Sequence, residues 1–175
     1  MTTQTAAAAA AEQTALVEEA TKKSGLVWVN GQPVWHAWVD GALCLVAGPG
    51  EQPLPPALAD GAAATVTVRS KDKGGRLVTW PARAALLDPA SDAWRGAAAE
   101  LKSKRLNSPD GEGVTERWAR ECGLFRLAPD GPPSEHPGAM PAASGAAPPL
   151  PTGATTRQPI PAGLPRLVAR RRKKK

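Results

Sequence analysis

The stretch GLVWVNGQPVWHAWVDGALCLVAG, residues 25–48, is the part of the sequence from which the fold class is inferred. It contains Asn30-Gly31 and Asp40-Gly41, dipeptides that tolerate the positive φ angles of tight type I′ turns, and β-branched and aromatic residues flank both. Three of the six Trp of a chain with one Phe and no Tyr also fall here, and they require an explanation. The pattern predicts three short antiparallel strands, at 26–29, 32–39 and 42–47.

Both faces of this predicted three-stranded sheet are apolar. Side chains alternate along a strand and opposed residues share a side, so the pairing sorts the stretch into two faces. One face holds Leu26, Trp28, Trp35, Ala37, Val39, Cys44 and Val46, and the other holds Val27, Val29, Val34, His36, Trp38, Leu43 and Leu45. A sheet with one wet face would alternate apolar and polar residues. We therefore expect one face to line a barrel and the other to be covered by a helix, a ligand or a second subunit.

The rest of the chain adds helices and further strands around this stretch. The predicted elements are a helix at 14–24, a short helix near 55–60, strands at 64–70 and 76–87, helices at 92–104 and 115–122, and a strand at 124–128. They predict a mainly β, antiparallel α+β domain over 12–128. The Ala-rich residues 1–11 are expected to be frayed. Residues 129–175, with more than half of the 19 Pro, are expected to be disordered.

The net charge of +6 comes entirely from the chain beyond the predicted domain. Residues 1–128 contain 14 basic and 14 acidic side chains, whereas 129–175 contain eight basic and two acidic ones. A folded domain that bound nucleic acid would be expected to carry its own basic patch. Two alternatives stay open for the terminal segment 166–175, which ends in RRRKKK: a tether to nucleic acid or an anionic membrane, and a solubilising terminus.

Neither a membrane span nor a metal site is expected. No apolar run approaches the roughly 20 residues that a membrane span requires, and the Ala-rich start lacks the basic and apolar segments of a signal peptide. We therefore expect a cytoplasmic protein without a transmembrane segment. Cys44 and Cys122, together with the two His, lack the spacing of metal ligands, so buried free thiols are the expectation.

Strands in meander order, with a short helical connection after the third and helices outside, resemble the split β-barrel of the pyridoxamine-phosphate-oxidase-like, FMN-binding family. The likeness covers about residues 12–128 and is carried by PVWHAWVDGALCLVAG, by ATVTVRSKDKGGRLVTWPARAALLD and by the Trp-containing helix after them. It implies a homodimer whose barrels share two flavin sites. It also implies a redox protein that holds FMN, or a deazaflavin, and passes hydride to or from a small substrate. A flavin ring or a partner subunit would then cover the second apolar face. The alternative is that Trp28, Trp35 and Trp38 fill the core and the interface between subunits.

The resemblance also implies a cofactor site, although one part of it departs from the family. The residues expected to contact the cofactor are Trp35, His36, Trp38, Gly48, Gly50, Arg69 and Arg83. His36 is a candidate for a proton donor beside a bound ring, and a structural His is the alternative. Family members offer hydroxyl and basic side chains to the cofactor phosphate where this chain has Ala47 and Glu51. A second hypothesis therefore stays open: a barrel without flavin that binds another ligand, such as haem, or a protein partner.

Overall fold

The computed structural model describes residues 2–108 and 110–143, with side chains from residue 10 onward. The candidate tether at 166–175 lies outside these residues. The strands are β1 (Val27–Val29), β2 (Gln32–Val34), β3 (Ala37–Val39), β4 (Ala42–Ala47), β5 (Ala63–Arg69), β6 (Arg76–Leu86) and β7 (Gly123–Pro129). The helices are α1 (Thr2–Lys23), α2 (Asp92–Lys104) and α3 (Val114–Glu121), with a short 3₁₀ turn at Gly111–Gly113.

The two edge strands of the sheet, β2 and β3, are consecutive in sequence, and the sheet curls so that they lie close together. Its strand order is β2-β1-β5-β6-β7-β4-β3, and every neighbouring pair is antiparallel. Only Trp35 and His36 separate the two edge strands, so the sheet must bend back on itself for the chain to pass from one edge to the other. The Gln52 amide accepts from the Trp35 N–H and donates to the Trp35 carbonyl, both at 2.9 Å. The predicted fold class, an antiparallel split β-barrel with flanking helices, is confirmed.

Two details of the predicted sheet are corrected. The strand expected over 32–39 is interrupted at Trp35 and His36, so the predicted three-stranded patch is divided between opposite edges of the sheet. The order is not a meander either, because β7 inserts between β6 and β4. Each tight turn still pairs its own strands in the predicted register, with Trp28 opposite Pro33 in the first hairpin. Local turn chemistry specifies a hairpin, but it carries no information on where the next hairpin lies.

The chain itself covers the inner face, and it covers the outer face over β3 and β4, whereas Leu26 on the β1 side of the outer face is 49% exposed. The inner face packs with β5, β6 and α1 into one cluster, which includes Val27, Val29, Val34, Leu43, Leu45, Val66, Trp80 and Val17. The outer face packs under α2 and α3, in a second cluster that includes Ala37, Cys44, Val46, Trp94, Leu101 and Trp118. The two clusters divide these residues as predicted, whereas Leu26 and Trp28 of the predicted outer face belong to neither cluster. Of the three covers that the sequence left open, the structure shows a pair of helices.

The ordered chain extends beyond both ends of the predicted domain. α1 begins at Thr2, so the segment expected to be frayed is helical, in keeping with the high helix propensity of Ala. Beyond β7, the Asp130 N–H donates to the Pro81 carbonyl at 2.9 Å, and a further bridge joins Glu135 to Thr79. Pairing with β6 therefore continues into the segment that was expected to be disordered. No helix within the described ranges is both long enough and apolar enough to cross a bilayer.

Candidate functional site

The loop between β4 and β5 carries a buried carboxylate where the resemblance predicts phosphate ligands. The Glu51 side chain is 0% exposed. Its Oε1 accepts from Arg117 Nη2 at 2.7 Å and from Trp118 Nε1 at 2.9 Å, and its Oε2 accepts from Arg105 Nε at 2.8 Å. Hydrogen bonds between ionised groups are among the strongest in proteins. This Glu51 cluster therefore fastens the loop to α3 and to the C-terminal end of α2.

The cations of the Glu51 cluster are already neutralised. Arg117 Nε donates to Asp110 Oδ2 at 2.6 Å, and Arg117 Nη1 donates to the Pro49 carbonyl at 2.6 Å. The hydrogen bonds that Arg117 donates to Glu51 and then to Asp110 raise the pKa of Arg117. Two guanidinium groups thus face two carboxylates. A phosphate brought to this loop would meet a negative charge already in place rather than a free cation.

Gly48 and Gly50 give the loop its shape. A Cβ on Gly48, at φ +145°, would lie 3.0 Å from the Cα and 3.1 Å from the Sγ of Cys122. A Cβ on Gly50, at φ +75°, would lie 3.0 Å from Nη1 of Arg117. The Gly48 N–H, predicted as a phosphate donor, donates to the Gln52 carbonyl at 3.1 Å. The close approach of α3 therefore explains both glycines without a ligand.

Trp35 and His36, which connect the two sheet edges, make contacts inside the protein. The Trp35 ring lies 6.4 Å from the Trp118 ring, measured between centroids. His36 is 3% exposed, and its Nε2 lies 2.9 Å from the Thr21 carbonyl. A carbonyl only accepts, so Nε2 carries the proton and donates. Burial lowers the pKa of His36 from 6.5 to about 4, so the ring is neutral near pH 7 and attaches the end of α1 to the sheet.

Arg69 and Arg83 lie far apart on the β5–β6 hairpin. Arg69 is opposite Arg76 near the turn, whereas Arg83 is opposite Ala63 at the other end. Arg83 Nη2 forms an ion pair with Asp130 Oδ2 at 2.7 Å. The Arg69 guanidinium lies over the Trp28 ring, 5.0 Å from its centroid. The structure therefore does not bring the predicted cofactor residues together in one site.

Trp38 borders an open apolar cleft of about 490 Å³ beside α1 and residues 129–133, which we call the Trp38 cleft. Its lining is formed by Ala10, Gln13, Thr14, Val17, Glu18, Trp38, Gly41, Pro129, Gly131, Pro132 and Pro133. The Trp38 ring packs edge-on against Trp80, with 6.1 Å between centroids. Among the described residues, this lining contains one carboxylate, Glu18, which pairs with Lys22 at 2.5 Å, and no Lys or Arg. A cleft of this size and chemistry suits a small ligand of low polarity.

The thiols form no reactive or metal-binding group. Cys44 is 1% exposed, and burial raises its pKa to about 11. Burial also raises the pKa of the half-buried Cys122. Among residues 2–108 and 110–143, no three His, Cys, Asp or Glu side chains come close enough to hold a metal ion. Cys44 is the buried free thiol that was expected, whereas Cys122 is a free thiol that is only half-buried.

Sequence reasoning missed the partners of Glu51. The sequence did not connect Arg105, Arg117 or Trp118 with this loop. A signal was present, since Glu51 lies in a Gly- and Pro-rich loop beside apolar strands, and a buried carboxylate requires a cation or several donors. The sequence did not indicate which of the 14 basic residues in 1–128 would supply that charge.

Comparisons with known proteins give little beyond the fold. No family model matches the sequence, and no curated protein matches it. The chain is similar to one solved structure, HutZ, the heme storage protein of Vibrio cholerae, at 12% sequence identity and a TM-score of 0.45. That match covers 67% of this chain and 89% of HutZ. A likeness this weak carries no argument about what this chain binds.

Proposed function

We propose that this protein is a small-molecule binding module, and that its ligand is a neutral, flat and largely apolar molecule held in the Trp38 cleft. The proposal rests on a difference in chemistry between the β4–β5 loop and the Trp38 cleft. The loop expected to hold a cofactor phosphate is filled by the buried Glu51 carboxylate, whereas the Trp38 cleft is open and apolar. The proposal follows the second sequence hypothesis, a barrel that binds something other than flavin.

The arrangement of charge argues against FMN in the predicted loop. FMN carries a dianionic phosphate, and such a group needs cations or several free N–H donors. In the Glu51 cluster both guanidinium groups are paired with carboxylates, and the Gly48 N–H is used within the loop. The flavin-dependent oxidoreductase activity, FMN or deazaflavin binding and the part of His36 in catalysis therefore have no support from this site.

Haem does not match the Trp38 cleft either. Its iron needs an axial His, Cys, Met or Tyr, and none of these is among the described residues of the lining. His36 is buried, and its Nε2 is already bonded to Thr21. The two haem propionates would also need cations, whereas the charged lining residue is Glu18. A neutral ligand without a metal fits this lining better.

The cleft supplies a physical basis for binding an aromatic ligand. The Trp38 ring and the rings of Pro129, Pro132 and Pro133 offer stiff apolar surface, which loses little side-chain entropy when a ligand binds. Gln13 and Thr14 are the polar side chains that can orient the ligand by hydrogen bonds. The homodimer implied by the family resemblance and the cytoplasmic location expected from the sequence stay predictions.

Titration with the neutral dye Nile red tests the proposal. Thr14→Trp places a large side chain in the Trp38 cleft, whereas Ala15→Trp adds the same side chain at the next residue, which is exposed and outside the lining. We expect Thr14→Trp to weaken dye binding by more than about tenfold and Ala15→Trp to leave it unchanged. Equal binding by both variants, or no saturable binding by the wild-type protein, would refute the proposal.

A further inference from the structure

The turn between β5 and β6 carries three cations without a carboxylate partner. Within residues 2–108 and 110–143, no Asp or Glu oxygen forms an ion pair with Arg69, Lys71 or Lys73. Arg69 Nε donates to the Gly74 carbonyl at 2.7 Å, which fixes the guanidinium above the Trp28 ring. Among the described residues, its Nη1 and Nη2 have no hydrogen-bond acceptor, so both can donate to a ligand. This differs from Arg83, Arg105 and Arg117, whose charges are all paired.

Two neighbouring clefts of about 420 Å³ each meet at this turn and share Ser24, Arg69, Ser70 and Lys71. The one beside Trp28, which we call the Arg69 cleft, is completed by Gly25, Leu26, Trp28 and Gly74. Among the described residues no Asp or Glu lines the Arg69 cleft, whereas Glu19 and Asp72 line the adjoining one. Leu26 is 49% exposed, so apolar surface lies next to the two cations. The Arg69 cleft therefore combines positive charge, two hydroxyl groups and an aromatic side chain.

We propose that the Arg69 cleft binds an organic phosphate that carries an aromatic ring, a nucleoside monophosphate. A guanidinium donates two parallel hydrogen bonds to phosphate oxygens, and a Lys ammonium adds a point charge. The planar guanidinium stacks on aromatic rings, and Leu26 and Trp28 supply apolar surface beside it. The Trp38 cleft has the opposite chemistry, with a carboxylate and no cation in its lining. This inference is independent of the proposed function, because the two clefts share no lining residue.

The structure favours a single nucleotide over a nucleic acid strand. The cations lie on one turn and beside a cleft of about 420 Å³, instead of along a groove that could follow several phosphates. Residues 1–128 have equal numbers of basic and acidic side chains, so the fold has no overall positive field to attract a polyanion.

Isothermal titration calorimetry with adenosine 5′-monophosphate, adenosine and a short single-stranded oligodeoxynucleotide tests the proposal. We expect saturable binding of the monophosphate, and binding of adenosine at least about tenfold weaker because it lacks the charge-assisted hydrogen bonds. Lys71→Ala should weaken monophosphate binding several-fold and lower its salt dependence. Arg69→Ala should weaken it by more than about tenfold. Arg95→Ala is the matched control, because Arg95 is exposed on α2 and pairs with Asp92.

The results of these titrations distinguish a nucleoside monophosphate site from a nucleic acid site and from no site. Because Arg69 covers Trp28, loss of binding in Arg69→Ala counts only if the circular dichroism spectrum is native and Lys71→Ala also weakens binding. Equal affinity for adenosine and its monophosphate would overturn the proposal, as would equal binding by the Lys71→Ala and Arg95→Ala variants. Binding of the oligodeoxynucleotide more than about tenfold tighter than the monophosphate would replace it with a nucleic acid site. Nile red binding tests the Trp38 cleft alone, so failure of one proposal leaves the other intact.

Discussion

The Arg117 guanidinium donates to the Glu51 carboxylate at 2.7 Å, and this contact joins the β4–β5 loop to α3. The carboxylate is 0% exposed, and the Arg117 side chain is 14% exposed. Charges buried in this way interact strongly, and each depends on its partner to offset the loss of hydration. The contact therefore stabilises the outer side of the barrel and also decides what the loop can bind.

Removing the Glu51 carboxylate should be strongly destabilising. Glu51→Ala leaves Arg105 and Arg117 without their shared anion, and breaking a buried ion pair costs about 3–5 kcal/mol. Glu112→Ala is the control, because Glu112 is 98% exposed in its pair with Lys102 and its loss should change stability far less. Urea denaturation measures both free energies of unfolding. Similar values for the two variants would show that the Glu51 cluster does not hold the loop.

The strands and most of their bounds could be predicted from local chemistry. Asn30, at φ +49°, and Asp40, at φ +46°, adopt the conformations that their turns require, and the pairing next to each turn follows. The apolar stripe of α2 was also visible in the 3, 4, 7 spacing of Trp94, Ala97, Ala98 and Leu101. The placement of β7 between β6 and β4 was not, because contacts between distant segments leave no periodic mark on the sequence.

His36 should make stability depend on pH. Its folded pKa is about 4 and its ordinary value is 6.5, so the unfolded chain binds a proton that the folded chain does not across that interval. The contribution of His36 is present above pH 6.5 and is lost as the pH falls towards 4, by up to about 3 kcal/mol. His36→Gln keeps an N–H donor that can reach Thr21 and cannot titrate. Urea denaturation at several pH values should show that the free energy of unfolding changes less steeply with pH in this variant than in the wild type. Equal slopes for the two proteins would contradict the titration assigned to His36.

Substitution of Gly48 should be costly even though it adds a single methyl group. The new Cβ would meet the backbone and Sγ of Cys122 at 3.0 and 3.1 Å, in a backbone conformation that favours glycine. We expect Gly48→Ala to lower the free energy of unfolding by at least about 2 kcal/mol. Gly96→Ala is the control, since nothing lies within 4 Å of that Cβ and the residue is inside α2. It should raise stability by about 0.5–1 kcal/mol, which thermal denaturation can measure. Equal effects would show that α3 does not restrict this loop.

The candidate site was less predictable than the fold. The sequence marked Glu51 as unsuited to phosphate, but pairing with Arg105 and Arg117 depends on how α2 and α3 pack over β4. The three Trp that lie close together in the sequence have separate roles in the structure. Trp28 lies beneath Arg69, Trp35 packs on Trp118, and Trp38 borders a cleft. Adjacency on a strand did not reveal these partners, because each comes from a distant part of the chain.

The most direct test follows the indole N–H signals in a ¹H–¹⁵N NMR spectrum while FMN, and separately a soluble neutral aromatic ligand, is added. The indole of Trp118 reports on the Glu51 cluster, and that of Trp38 reports on the apolar cleft. We predict that the neutral ligand shifts the Trp38 signal and that FMN leaves the Trp118 signal unchanged. A saturable shift of Trp118 with FMN, without a response of Trp38 to the neutral ligand, would contradict the account.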